Sequence, residues 1–120
     1  MKKILYVDDE EFNRYVFNEE FSDKFIVFSV SSGKNALELL QHESVDIVVT
    51  DMKMPIMSGL ELIREIRKFN SHIPCVMLSA LFHNKMIRED IRSGVITKCI
   101  EKPWDTEELV ELLGDLISKR

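Results

Sequence analysis

Cysteine is scarce in this sequence: only Cys75 and Cys99 occur, and with the three histidines they make no zinc-site pattern. Each sits in an apolar stretch, which reads as a buried thiol rather than as half of a disulfide. Long hydrophobic runs are missing as well. No apolar stretch approaches the ~20 residues that cross a bilayer, so no membrane segment is expected. Met1-Lys2-Lys3 resembles the basic start of a secretory leader, yet the apolar run Ile4 to Val7 stops at Asp8-Asp9-Glu10-Glu11. No leader is expected, and the chain is placed in the cytoplasm. An excess of basic charge is also absent. Sixteen Lys and Arg stand against 21 Asp and Glu, a net charge of −5, which offers no footprint for a phosphate backbone, so direct nucleic-acid binding is not expected. Repeats and low-complexity linkers do not occur.

What is present suits one globular domain over residues 1–120. The composition is 45% hydrophobic and 31% charged, and a chain of this length buries roughly two-thirds of the surface it exposes when unfolded. Short apolar runs alternate with amphipathic stretches from end to end, the pattern of βα units around a parallel sheet. Strands are predicted over residues 3–7, 25–30, 46–50, 73–79 and 96–101, each apolar enough for a sheet covered on both faces. Helical spacing appears over 12–22, with Phe17 and Phe21 on one face, and over 34–42, with Ala36, Leu37 and Leu40. It recurs over 59–69, with Leu62, Ile63, Ile66 and Phe69. Ser58 with Glu61, and Asp105 with Glu108, have capping-box spacing and mark two helix starts. In the last helix Leu109, Leu112, Leu113, Leu116 and Ile117 form one apolar stripe. Gly114 within it costs about 1 kcal/mol relative to Ala, which packing can absorb. Right-handed crossovers in a (βα)₅ chain give a doubly wound α/β sheet whose crevice lies at the carboxyl ends of the strands.

The residues predicted at those ends are polar in a particular way. The first strand ends in Asp8 and Asp9, the third in Asp51, the fourth in Ser79, and the fifth leads to Lys102 and Pro103. Three acids on neighbouring strands repel one another, and close approach raises a pKa unless a cation shares the site. Oxygen donors with no His or Cys beside them favour Mg²⁺ or Mn²⁺ over zinc, and Mg²⁺ leaves positions open for phosphate oxygens. Asp51 then suits a nucleophile in phosphoryl transfer, with Ser79 and Lys102 supplying hydrogen bonds and charge to the phosphoryl oxygens.

Val7-Asp8-Asp9-Glu10, Val49-Thr50-Asp51-Met52-Lys53-Met54-Pro55, Gly59, Leu78-Ser79-Ala80, Gly94 and Lys102-Pro103-Trp104 together resemble the marker set of response-regulator receiver domains, in order and across essentially the whole chain. The resemblance implies a flavodoxin-like sheet of order 2-1-3-4-5 and phosphorylation of Asp51. It implies direct Mg²⁺ ligation by Asp9 and Asp51, ligation by Asp8 through water, and the backbone carbonyl of Lys53 as a further ligand. Ser79 and Lys102 would contact the phosphoryl group, and the Lys102–Pro103 bond would be cis. The implied phosphodonor is the phosphohistidine of a histidine kinase or of a histidine phosphotransfer protein. Output would pass through the fourth helix, fifth strand and fifth helix to a downstream partner.

Some positions depart from the family or admit plainer roles. Many members carry an aromatic three places before the lysine, where this chain has Cys99, and a small thiol cannot copy an aromatic swing. A route through Ser79 and the loop of residues 80–84 to the fourth helix is therefore expected instead. Trp104 reads as a packing residue. Asp8 has the alternative of capping the first helix, and Ser79 of satisfying a local backbone group. Lys53 is either a solvated side chain or a cation that prolongs the acyl phosphate. A receiver-like module that takes no phosphate would be expected to lack one of the acids or the lysine. An aspartyl phosphatase would want a second acid where Lys53 stands. A flavin protein would need a phosphate cradle where the four acids after Val7 repel an anion. No turnover enzyme is expected, only self-catalysed phosphorylation and dephosphorylation.

Overall fold

Side chains on successive strand residues point to opposite faces, and this period of two sorts the core. Residues 1–80 and 85–119 are described by the computed structural model. Five strands form one sheet: β1 Lys3–Val7, β2 Ile26–Val30, β3 Ile47–Asp51, β4 Cys75–Ser79 and β5 Lys98–Glu101. They pair in parallel in the order β2-β1-β3-β4-β5. The helices are α1 Glu11–Phe21, α2 Gly33–His42, α3 Gly59–Arg67, α4 Lys85–Arg92 and α5 Thr106–Ser118. The (βα)₅ arrangement and strand order match the expectation from the sequence.

Ile4 and Tyr6 of β1, Ile47 and Val49 of β3, and Val76 and Leu78 of β4 join Phe17 and Phe21 of α1 with Leu109, Leu113 and Ile117 of α5 in one cluster. Leu5 and Val7, Val48, and Cys75 and Met77 face the other way, toward Leu62, Ile63 and Ile66 of α3 and Ile87 of α4. Fully burying an aliphatic side chain of this size contributes about 1.5–3 kcal/mol, so both layers are needed to hold the sheet. The Tyr6 and Phe17 rings stack with centroids 3.9 Å apart.

Element ends differ from the sequence reading for local reasons. β3 includes Asp51, whose backbone continues the ladder beside Leu78. β4 starts after Pro74, which has no N–H to offer although its carbonyl accepts from Val48. α3 closes early because Lys68 and Phe69 donate to Glu65 and Ile66, three residues back, and tighten the final turn. That turn leaves Phe69 59% exposed, contrary to its expected place on the apolar face. Ser58 caps α3 in a reciprocal capping box with Glu61, and Asp105 caps α5 by accepting from the Glu108 N–H. Leu112 and Leu116 are only half-buried beside the apolar cluster. Cys75 and Cys99 are both free and buried. No described helix is long and apolar enough to cross a membrane.

Candidate functional site

The carboxyl ends of β1, β3 and β4 and the residue after β5 meet at one edge of the sheet. Asp8 and Asp9 follow β1, and Asp51 closes β3, which lies beside β1. Asp8, Asp9 and Asp51 each present an oxygen, and these oxygens all lie within 4.8 Å of one another. Asp8 and Asp51 are buried, whereas Asp9 is exposed. The Lys102 ammonium hydrogen-bonds Asp51 Oδ1. Its backbone N–H donates to the Ser79 carbonyl at 3.1 Å, which ties the lysine to the end of β4. The Lys102–Pro103 peptide is cis, as the resemblance implies.

A cleft of about 300 Å³ opens over this group, lined by Glu10, Asp51, Lys53, Ser79 and Lys102 among others. Ser79 is buried and Lys53 is exposed. All the sequence-predicted site residues thus gather at one rim, apart from the loop of residues 80–84, which from residue 81 lies outside the described residues. Burial is the largest influence on Asp51 and raises its pKa; the Lys102 contact opposes it, while Asp8 and Asp9 add to the rise. The donor set is all oxygen, short in range and mostly buried, which fits a hard divalent ion and not zinc.

Several supporting residues carried no signal in the sequence. Asp8 does not cap α1: the N-cap position is Glu10, which makes no side-chain cap. The Asp8 carboxylate instead accepts from the Glu10 N–H at 3.0 Å, the Tyr6 hydroxyl at 2.8 Å and the Asn13 amide at 3.2 Å. Arg14 donates to the Asp8 carbonyl at 2.8 Å. Burial, with Asp8 alongside, pushes the Tyr6 phenol far up, so it stays a proton donor. Asn13 and Arg14 reach Asp8 only because the helix turns them back over the end of β1, a relation no short motif encodes.

The loop from β3 to α3 is held from both ends. Gly59 donates its N–H to the Met52 carbonyl at 2.9 Å. A Cβ at Gly59 would lie 2.2 Å from the Asp51 carbonyl oxygen, so only glycine lets α3 start against the acid's own backbone. At the tip, Ile56 has φ of 70° while Met57 donates to Pro55 at 2.7 Å, the strained form of γ-turn.

Comparison with known proteins agrees with this geometry. The sequence model of the family described as "Response regulator receiver domain" matches residues 4–114. The chain is 32% identical over 109 residues to the sporulation initiation phosphotransferase F of Bacillus subtilis, covering 90% of this chain and 87% of that protein. It is 30% identical over 115 residues to the chemotaxis protein CheY of Thermotoga maritima, covering 94% of this chain and 95% of that one. Among solved structures it resembles the response regulator TrrA of Thermotoga maritima in complex with Mg(2+)-BeF. That likeness has a TM-score of 0.82 at 32% identity and covers 97% and 99% of the two chains.

Proposed function

The chain belongs to the response regulator receiver domain family, and on that premise we propose that it is a phosphorylation switch of two-component signalling in which Asp51 accepts the phosphoryl group. The observation that carries this reading is the convergence of three carboxylates within 4.8 Å at the strand ends, with the Lys102 ammonium on Asp51. The donor is the phosphohistidine of a histidine kinase or of a histidine phosphotransfer protein, met in the cytoplasm. A carboxylate oxygen of Asp51 attacks phosphorus while the bond from phosphorus to the imidazole nitrogen breaks, leaving an acyl phosphate. Lys102 turns from Asp51 Oδ1 to a phosphoryl oxygen, and the Ser79 hydroxyl donates to another.

Asp9, Asp51 and the Lys53 carbonyl would hold Mg²⁺ directly, with Mn²⁺ able to replace it. The three hydrogen bonds that Asp8 already accepts support a role through water. When bound, the ion neutralises charge where one anion approaches another. A receiver is a signalling domain rather than a turnover enzyme, so its chemistry, including hydrolysis of its own acyl phosphate, acts on itself. The face made by α4, β5 and α5 carries the altered affinity to a downstream partner. Incubation with acetyl phosphate and Mg²⁺ should add one phosphoryl group of about 80 Da, read by intact mass. Equal labelling in excess chelator, or undiminished labelling of Asp51→Asn, contradicts the reading.

A further inference from the structure

Between α1 and the turn from β5 to α5 lies another cavity, of about 430 Å³, whose walls include Tyr6, Asn13, Glu20, Pro103 and Trp104. Its volume falls in the range of small-ligand sites, roughly 300–1,000 Å³. The charge on its walls is unbalanced. Asp8 and Glu20 are acidic, and the one basic residue among the described lining residues, Lys102, already pairs with Asp51. Asp8 has its carboxylate engaged by Tyr6, Glu10 and Asn13, so toward this cavity it contributes chiefly negative field. Glu20 differs. One of its oxygens accepts from the Thr106 hydroxyl at 2.5 Å, which fixes the carboxylate across from α5 and leaves the second oxygen to accept from a guest.

Trp104 packs only partly against the apolar cluster, and its remaining surface is divided between this cavity and a smaller one on the α5 side. An aromatic ring beside a fixed carboxylate suits an organic cation: the ring attracts positive charge, and the carboxylate adds a charge-assisted hydrogen bond. We propose that this cavity binds a small organic cation, an alkylguanidinium or alkylammonium group, between Trp104 and Glu20. The proposal goes beyond the phosphorylation reading and does not depend on it. Because Asp8 and Lys102 also belong to the phosphoacceptor rim, a guest here would share walls with that site.

Trp104 is the only tryptophan of the chain, so its emission reports a guest against this ring, and the Glu20 variant assigns the signal to this cavity rather than to the smaller one on the α5 side. In buffer containing EDTA, titration with ethylguanidinium should change that emission saturably, with a dissociation constant on the order of millimolar for so small a ligand. N-ethylurea, of the same shape without the charge, should give no saturable change. Glu20→Gln keeps an acceptor for Thr106 and should weaken binding by about fivefold to tenfold. Thr106→Val, which frees the Glu20 carboxylate, should weaken it as well. A parallel titration with a tripeptide amide carrying one central arginine separates the sources. Tighter binding than ethylguanidinium assigns a protein side chain, and weaker binding assigns a free metabolite. A linear response to ethylguanidinium, equal binding of the urea, or unchanged binding by Glu20→Gln overturns the proposal.

Discussion

Asp51 is placed where the fold works against its charge: burial raises its pKa, and Asp8 and Asp9 raise it further against the opposing Lys102. A carboxyl whose pKa is higher folded than unfolded gives stability that is complete below its ordinary value of 3.8 and lost as pH rises through the folded value. Asp51→Asn does not titrate. In chelator, the melting temperature of Asp51→Asn relative to the parent should therefore climb as pH goes from 3 toward 7, since groups that do not interact with Asp51 cancel in the difference. Melting curves across that range check it, and a difference that stays flat or falls contradicts the charge conflict at Asp51. The cysteines have no such part: burial holds the Cys75 thiol up to about 11, so it is protonated and unreactive at neutral pH.

α3 shows how a helix is pinned so that the site it starts from stays put. At its N-terminus Gly59 sits against the Asp51 carbonyl. At its C-terminus the Arg67 guanidinium donates to the carbonyls of Val95 and Ile73, at 2.9 and 2.7 Å, and more weakly to Asn70 and the Thr97 hydroxyl. One side chain thereby joins α3 to the segments that lead into β4 and β5. Arg67→Ala should cost about 1–3 kcal/mol in denaturant unfolding, because it strands half-buried carbonyls. Arg67→Lys should recover little, since a lysine cannot spread its donors in the planar fork that Arg67 uses. A loss below measurement error would show that the carbonyls find water instead.

Cys99 lies buried in the cluster that contains Ile87 of α4, and a thiol there has no ring to rotate. Ser79 is joined by its backbone to Lys102 and stands directly before the segment leading to α4. One charge-assisted hydrogen bond from Ser79 to a phosphoryl oxygen, about 1.5–3 kcal/mol, is a large part of what a two-state bias requires. Ser79→Ala should keep phosphorylation at Asp51 but lose most of the phosphorylation-dependent NMR shifts in α4, while Cys99→Ala keeps both. Loss of the shifts in Cys99→Ala, or their survival in Ser79→Ala, would route the switch through β5.

The elements were legible because buried strands and amphipathic helices write their period into the sequence: Phe17 and Phe21, or Leu109 and Leu113, announce their faces. The acids and Lys102 were legible because strand ends converge in a doubly wound sheet. What escaped depends on three-dimensional return of the chain. Tyr6, Asn13 and Arg14 meet Asp8 through packing and a helical turn, and Phe69 is rotated outward by a tightened helix end. Ile56 is a β-branched residue at a positive φ, the reverse of what turn preferences suggest.

For the whole molecule, the radius of gyration is 12.9 Å, against about 13–14 Å for a compact chain of this length. Two apolar layers cover the sheet on both faces, so strand ends are where polar groups collect. The acidic cleft and the cavity beside Trp104 meet at that edge: Lys102 lines both, and Asp8 joins the cavity wall to the three-acid group. The proposed phosphorylation of Asp51 can be located directly. After labelling with acetyl phosphate and Mg²⁺, borohydride reduction converts a phosphorylated aspartate to homoserine, which peptide sequencing by mass spectrometry locates. Homoserine at position 51 alone is the predicted result; homoserine at position 8 or 9, or none at 51 in a labelled chain, would contradict it.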